Sequence, residues 1–290
     1  MSSTLFYIMV LSRALQIGLY VVLVIFITSL WGFFSSIHPR RYVSDVDPST
    51  YDLTFEDITL TTSDGVKLSG WFIPAPGKKA IIVTHGYPFD KGNVLPSALF
   101  LHPKYNLLFF DFRAMGESGG KITTVGYRER DDLLAAIAFL KKKGMEKIGV
   151  KGFSLGAAVA IMTETKDIDA IVADAPYARL DMMLDAMYRT FWIFKYPFVW
   201  LTKIYSKVFL GLSVDEVSPV RSIKDLETPV LLIHGEKDSQ IDVENSQLLH
   251  KANPKNELWI IPGIDHGATQ ADQGKVYEEK VLGFFGEHLE

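Results

Sequence analysis

Residues 147–161 read Lys-Ile-Gly-Val-Lys-Gly-Phe-Ser-Leu-Gly-Ala-Ala-Val-Ala-Ile, and this stretch decides the fold. The apolar run 148–150 predicts a short strand, and the small residues at the end predict a helix. Ser154 lies between them in a G-x-S-x-G pattern, the nucleophile elbow, whose glycines allow a sharp strand-to-helix turn. Such a turn exposes the Ser154 hydroxyl and brings the Leu155 N–H beside it, at a helix N-terminus where negative charge is stabilised.

The elbow pattern alone is weak evidence for an enzyme, because glycine and serine are common in turns. Its context, with a strand before and a helix after, is the one that a catalytic serine requires. A serine nucleophile also needs a base, and an acid that orients the base. We therefore searched the predicted strand ends for a histidine and a carboxylate.

Short apolar runs bounded by turn residues predict the strands. The predicted strands cover residues 55–61, 66–73, 80–84, 107–110, 148–150, 170–173, 230–233 and 258–261. Helices are predicted at about 92–102, 126–143, 154–165, 242–252 and 271–289. Because most apolar strands alternate with helices, the pattern predicts an α/β fold, with a mainly parallel sheet covered by helices on both faces. Ligands bind such sheets beyond the carboxyl ends of the strands.

The composition narrows the class of protein. A length of 290 residues, of which 48% are hydrophobic and 22% charged, predicts one large domain with an appendage. The net charge is −4 and no Lys/Arg-rich stripe is interleaved with aromatic residues, so nucleic-acid binding is not expected. The absence of cysteine excludes a disulfide framework, a thiolate nucleophile and any cysteine-based metal site.

Residues 14–34 form an uncharged run of 21 residues. As a helix this run is roughly 31 Å long, close to the hydrocarbon thickness of a bilayer. Arg13 precedes it, and Trp31, His38, Arg40 and Arg41 lie at its other end, as interfacial anchors do. The run is too long for a signal peptide and no Ala-x-Ala follows it; a buried core helix is the other alternative. We predict a single membrane span, with a slight bias of flanking charge toward a cytoplasmic catalytic domain.

The domain organisation follows from this span and from the strand pattern. We predict a membrane anchor at 1–37, a juxtamembrane linker at 38–52 and a globular α/β domain at 53–290. An insertion at about 177–227, between two strands, would form a small helical cap over the site. Its aromatic stretch 188–200 suits an apolar acyl chain or the membrane interface, although the rings could equally pack the cap onto the sheet.

Two strand ends carry the candidate acid and base. The strand 230–233 is followed by Asp238, which is the predicted acid, with Asp242 as the alternative, although Asp242 resembles a cap of the next helix. The strand 258–261 is followed by His266 on a glycine-flanked loop, and this histidine is the predicted general base. The chain order Ser154, Asp238, His266 is the order of nucleophile, acid and base in α/β hydrolases.

The other strand ends carry residues with supporting roles. After the strand 80–84, the N–H of Tyr87 is a candidate oxyanion-hole donor together with that of Leu155, a plain turn being the alternative. His85 and His234 are predicted to be structural. The glycine-rich loop 111–120 lacks the phosphate-binding patterns. Its Asp111 and Arg113 are predicted to form a structural ion pair or to fasten the loop, and Ser118 to be a loop hydroxyl.

These motifs resemble those of the α/β-hydrolase superfamily over residues 53–289. The chain is similar to single-span, membrane-anchored serine hydrolases, and more distantly to the catalytic domain of prolyl-oligopeptidase-type peptidases. The matching motifs are His85-Gly86-Tyr87-Pro88, Asp111-Phe112-Arg113 with Gly116 and Ser118, Gly152 to Gly156, His234-Gly235 with Asp238, and Asp265-His266-Gly267. One departure is Ala114, where many relatives carry glycine. The resemblance implies an acyl-enzyme mechanism with Ser154, Asp238 and His266, and no metal or organic cofactor.

The substrate class stays open at this level. A lipid, a fatty-acyl ester or a thioester is the first expectation, and a peptide the second. Peptidases of the prolyl-oligopeptidase type usually carry a large gating domain, for which the 52 residues before the fold leave no room. A non-catalytic module that binds an acyl ligand or a protein partner is a further alternative, and an intact triad speaks against it. Ser154 also argues against a dehalogenase, which uses an aspartate nucleophile.

Overall fold

An eight-stranded sheet forms the centre of the computed structural model, which describes residues 3–290 and the side chains of residues 10–192 and 195–290. The strands are β1 (Glu56–Thr61), β2 (Lys67–Ile73), β3 (Lys79–Thr84), β4 (Asn106–Phe110), β5 (Lys147–Phe153), β6 (Ala170–Asp174), β7 (Val230–Gly235) and β8 (Glu257–Ile261). Their order is β1-β2-β4-β3-β5-β6-β7-β8, and β2 is antiparallel to both of its neighbours while the other pairs are parallel. The predicted α/β fold is confirmed.

Helices connect most of the strands. The α-helices are α1 (Ser3–Ile37), α2 (Lys91–Val94), α3 (Glu129–Lys142), α4 (Leu155–Met162), α5 (Leu180–Met187), α6 (Lys195–Tyr205), α7 (Pro219–Ser222), α8 (Glu244–Ala252), α9 (Thr269–Gln273) and α10 (Lys275–His288). Short 3-10 segments cover Pro48–Tyr51, Pro96–Leu101, Arg189–Phe194, Val214–Glu216 and Ile223–Asp225, and a π-helical turn covers Ser206–Leu210.

Two predicted helices are divided in the structure. The predicted helix 92–102 consists of α2 and the 3-10 segment Pro96–Leu101, because Pro96 has no N–H to continue the α-helical ladder. The predicted C-terminal helix 271–289 consists of α9 and α10, which meet at Gly274 with φ of 48°. A positive φ ends a helix and is tolerated by glycine, so the division follows from this residue.

Apolar side chains cover both faces of the sheet. Along β3, Ile82 faces a cluster that includes α3 and α4, and Ile81 faces a second cluster that includes α10. This alternation is that of a strand buried on both sides. Fully burying one such side chain stabilises the fold by about 1.5–3 kcal/mol.

Helix α1 includes the predicted span 14–34. Its stretch Val10–Ile37 is long and apolar enough to cross a membrane. Most of its apolar side chains from Val10 onward are exposed, and Leu15 is 78% exposed. Its last turns differ, because Phe33 and Ile37 are buried against Tyr205 of α6. The C-terminal end of α1 is therefore docked on the globular domain.

Residues 38–52 are attached to the domain by hydrogen bonds. The Arg41 guanidinium donates to the carbonyl oxygens of Gly116, Ser118 and Gly120 in the glycine-rich loop. The Ser44 N–H donates to Asp90 Oδ2 at 2.7 Å. The predicted linker is thus attached to the globular domain at Arg41 and Ser44.

Of the two roles predicted for Asp111 and Arg113, the structure shows the fastening of their loop, because each pairs with a residue of another element. Asp111 lies 2.9 Å from the Lys91 ammonium, and Arg113 binds Asp132 at 2.7 Å and Asp64 at 2.8 Å. Asp132 and Arg113 have side chains that are 0% and 3% exposed. The hydrogen bond from Arg113 lowers the pKa of Asp64 to about 2. Asp64 therefore contributes stability above its ordinary pKa of 3.8, which is lost as the pH falls toward 2.

We expect Arg113→Met to lower the free energy of unfolding by about 3–5 kcal/mol, because it leaves Asp132 buried without its counter-ion. Thermal unfolding of the detergent-solubilised protein measures the change. Lys78→Met is the control, since Lys78 and its partner Glu146 are each 66% exposed, and we expect a much smaller change there. Equal effects of the two substitutions would contradict the structural role of Arg113.

Candidate active site

The strand-to-helix turn at Ser154 has the geometry of a nucleophile elbow. Ser154 joins β5 to α4 with φ of 52° and ψ of −113°, a strained conformation for a residue with a side chain. A Cβ on Gly152 would lie 2.6 Å from the backbone of Ala157, and one on Gly156 would lie 2.5 Å from Thr84 Oγ1. The close packing of strand against helix therefore requires glycine at both positions.

The structure brings Asp238 and His266 together. His266 Nδ1 lies 2.6 Å from Asp238 Oδ2, and the Asp238 side chain is fully buried while that of His266 is 8% exposed. The other carboxylate oxygen, Asp238 Oδ1, accepts the N–H groups of Gln240 at 2.9 Å and Ile241 at 2.7 Å. The carboxylate is thus fixed in orientation, with one oxygen turned to the backbone and the other to the imidazole.

Hydrogen bonding decides the charge of Asp238. Burial would raise the pKa of this carboxyl, but hydrogen bonds from His234, His266 and the Ile241 N–H outweigh burial and hold the pKa well below its ordinary value. An ionised carboxylate can only accept hydrogen bonds, so His266 Nδ1 carries the proton. The lone pair of neutral His266 is then on Nε2, the atom that can act as a base.

His266 lies beside the elbow. Its ring packs on the ring of Phe153 with centroids 4.9 Å apart, and Phe153 directly precedes Ser154. A Cβ on Gly267 would lie 3.1 Å from the Phe153 ring, so the histidine loop closely covers the end of β5. Among the described residues, Ser154 Oγ makes no hydrogen bond, including with His266. Catalytic hydrogen bonds are often long in unliganded enzymes and shorten when substrate binds.

The two predicted oxyanion-hole residues flank the elbow from different elements. Leu155 is the first residue of α4, and Tyr87 follows β3. A Cβ on Gly86 would lie 3.1 Å from Ser154 Cβ, so the chain after β3 passes next to the serine. In the part of the chain that the structure describes, neither the Leu155 nor the Tyr87 N–H has an acceptor. These two donors are therefore free to bind an oxygen at this point.

Asp242, the alternative acid, occupies a different place. Its Oδ1 accepts the N–H of Glu244 at 2.9 Å, at the start of α8, and its side chain is exposed. Val243 is the N-cap residue of α8 and makes no side-chain cap hydrogen bond, so Asp242 lies one residue before the observed capping position. Asp265 has a linking role, because its Oδ1 accepts the N–H groups of Ser239 and His266 and so joins the acid loop to the base loop.

Two buried residues that were not predicted to belong to the site also support it. His234, predicted to be structural, is fully buried, and its Nε2 lies 2.8 Å from the Ile241 carbonyl and 3.4 Å from Asp238 Oδ2. Asp174, at the end of β6, accepts hydrogen bonds from Thr269 at 2.6 Å and Tyr277 at 2.9 Å. It thereby holds the start of α9, three residues after His266. The position of Asp174 at a strand end was the one sequence feature that could have indicated it.

An apolar cavity of about 390 Å³ lies next to Tyr87. Its lining includes Val125, Leu180, Met183 and Leu184. A volume of this size is within the range of small-molecule sites, which are mostly apolar with few polar groups. Among the residues that the structure describes, no group of three or more His, Cys, Asp or Glu side chains is placed to hold a metal ion.

The chain is similar to one known protein family and to several individual proteins. The sequence profile of the prolyl oligopeptidase family matches residues 119–290. The esterase Pf2001 of Pyrococcus furiosus is 34% identical in sequence, with a TM-score of 0.74 over 87% of this chain and 100% of that one. The Bacillus subtilis protein YqkD is 30% identical over 251 residues, 83% of this chain and 82% of its own. Protein bem46 of Schizosaccharomyces pombe is 25% identical over 255 residues, 83% of this chain and 80% of its own.

Proposed function

Because this chain belongs to the prolyl oligopeptidase family and has the α/β-hydrolase fold of an esterase relative, we propose that it is a membrane-anchored serine hydrolase of carboxylic esters or thioesters. The observation that carries the proposal is the 2.6 Å contact between His266 Nδ1 and Asp238 Oδ2 beside the strained turn at Ser154. A buried, ionised carboxylate that orients an imidazole next to a strained serine is an arrangement suited to nucleophilic catalysis.

The proposed reaction proceeds in two halves. His266 Nε2 accepts the Ser154 proton while Oγ attacks the substrate carbonyl carbon, and the N–H groups of Tyr87 and Leu155 bind the resulting oxyanion. His266 then gives the proton to the leaving alcohol or thiol, and an acyl-serine remains. Water attacks the acyl-serine after losing a proton to the same Nε2, and the acid leaves when Ser154 recovers its proton. The Asp238 carboxylate stabilises the imidazolium in both halves.

The apolar cavity next to Tyr87 supports an acyl or lipid-like substrate over a peptide. Most of the lining is aliphatic or thioether surface, with Ser36, Arg189, Ser239 and Gln240 among its polar side chains, and a mainly apolar lining suits an acyl chain. The second candidate is a serine peptidase, and the match to the prolyl oligopeptidase family supports it. The same residues could carry out this reaction, with His266 protonating a leaving amine. Assays of acyl esters and of peptide amides with one preparation separate the two functions.

Anchoring is the second part of the proposal. The helix Val10–Ile37 would hold the protein in a membrane as a single-pass chain. Arg40 and Arg41 follow this helix while Arg13 precedes its most apolar part, and this balance favours a cytoplasmic hydrolytic domain. Carbonate extraction of membranes and protease protection of the intact cell test the anchor and its orientation.

We expect a fluorophosphonate probe to label the detergent-solubilised protein, and Ser154→Ala to abolish the labelling. The probe reacts with an activated serine, so labelling reports the nucleophile independently of the natural substrate. Ser63→Ala, at an exposed serine in the hairpin between β1 and β2, is the matched control and should label like the wild type. A folded wild type that does not react would overturn the catalytic proposal and favour a non-catalytic binding module.

A further inference from the structure

The C-terminal end of α1 lines the same cavity as a candidate catalytic residue. The cavity of about 390 Å³ described above, here called the anchor-cap cavity, lies between Ser36 of α1, Tyr87 after β3, and Leu184 and Met187 of α5. A smaller space of about 70 Å³ adjoins it, lined by Ser36, Leu184 and Met187 again and by Phe33 and Ile37. The membrane-facing helix is therefore one wall of a cavity at the hydrolytic site.

This wall is held in place by specific contacts. Ser29 Oγ of α1 lies 3.2 Å from the Tyr205 hydroxyl of α6, and Ser29 is fully buried. The rings of Phe33 and Tyr205 have centroids 5.7 Å apart, and those of Phe34 and Phe209 are 5.1 Å apart. The last three turns of α1 are thus docked on the cap, here meaning α5, α6 and the turns that follow them.

A direct hydrogen bond joins α1 to the candidate oxyanion hole. The Tyr87 hydroxyl donates to the backbone carbonyl of Ser36 at 3.1 Å, and the residue before this tyrosine, Gly86, passes next to Ser154. Ser239 and Gln240, the two residues after Asp238, also line the anchor-cap cavity. The cavity therefore reaches from α1 to the loop that carries the acid, beside the position where a substrate carbonyl would react.

The lining favours an apolar group. Val125, Leu180, Leu184 and Met187 supply aliphatic and thioether surface, and Met adapts to irregular shapes. Burying each methylene of a chain there should strengthen binding about fourfold. We propose that the anchor-cap cavity binds the acyl chain of the substrate, so that α1 is part of the substrate site as well as an anchor. This inference rests on the proposed function.

Chain-length dependence tests the inference. We expect kcat/KM of the full-length, detergent-solubilised protein to rise from p-nitrophenyl acetate through butyrate to octanoate. Ser36→Leu adds volume to the cavity wall and leaves the backbone carbonyl that binds Tyr87. It should lower kcat/KM for octanoate by at least about tenfold, since single methylenes discriminate by this much in apolar pockets. The loss for acetate should be much smaller than the loss for octanoate, so that the ratio of the two kcat/KM values falls.

Ser35→Leu is the matched control, because Ser35 is exposed on the neighbouring position of α1 and lines neither space. Its chain-length profile should equal that of the wild type. Met187→Trp fills the cavity from the cap side and should shift the profile in the same way as Ser36→Leu, which keeps the test decisive if one variant does not fold. Unchanged profiles for both filled variants would overturn the inference. Absence of labelling and of acetate hydrolysis in a folded wild type would overturn the proposed function itself.

Discussion

Replacing His266 with alanine is expected to lower kcat for p-nitrophenyl acetate by on the order of 10⁶-fold, the loss found when the base of a serine triad is removed. The imidazole is the group placed against both Asp238 and the ring of Phe153, next to Ser154. Without it neither the serine hydroxyl in acylation nor the water in deacylation has a base. Residual activity of about 10³–10⁴ over water should remain from the oxyanion-hole N–H groups and from binding.

A second histidine variant controls for loss of structure. His250 lies on α8, where its Nδ1 is 2.9 Å from the Asn256 carbonyl, and His250→Ala should keep the wild-type kcat. Circular dichroism and thermal unfolding of both variants check that each is folded. A folded His266→Ala that retains the wild-type rate would show that another group is the base and would refute the triad.

The strands were predictable because burial on both faces requires a short continuous run of apolar residues, which is easy to find in a sequence. Each predicted strand is present, and the bounds differ by at most three residues. The elbow was equally predictable, since the packing that requires Gly152 is local, against Ala157, whereas Gly156 packs against Thr84 of β3. Local constraints of this kind are written in neighbouring residues, so a single sequence is enough to find them.

Side-chain partners over long distances were harder to predict. The sequence indicated a structural ion pair or a loop-fastening role for Asp111 and Arg113 but not their partners, which are Lys91 for Asp111 and Asp132 for Arg113. In a strand, side chains alternate between the two faces, but beyond the strand end this alternation is lost. The position of a residue in the following loop therefore does not determine the direction of its side chain. The same reason left Asp238 and Asp242 as alternatives for the acid.

The docking of α1 could not be predicted from its composition. Leu15 and Phe33 both belong to apolar stretches of one helix, yet Leu15 is 78% exposed and Phe33 is 4% exposed. A side chain suited to lipid is equally suited to a protein core, so hydropathy cannot separate the two. The partner of Phe33 is Tyr205 of α6, more than 170 residues further along the chain, and only the fold brings them together.

The second large effect is expected for Asp238→Asn, which should lower kcat by about 10⁴-fold. Asp238 Oδ1 accepts two backbone N–H groups, from Gln240 and Ile241, so the amide oxygen of the variant will take this position. The amide NH₂ then replaces Oδ2 and faces His266 Nδ1. Since NH₂ is a donor, it selects the tautomer protonated at Nε2, and that nitrogen can no longer accept the Ser154 proton.

Asp242→Asn is the matched control for this prediction. Asp242 is exposed and accepts the Glu244 N–H, a contact that an asparagine side-chain oxygen can keep, so kcat should be unchanged. The pH profile of kcat/KM gives a second readout. Because hydrogen bonds hold the pKa of Asp238 well below its ordinary value, the wild type should show no loss of activity from this carboxyl near pH 4–5. A large loss in Asp242→Asn with a small one in Asp238→Asn would reassign the acid to Asp242.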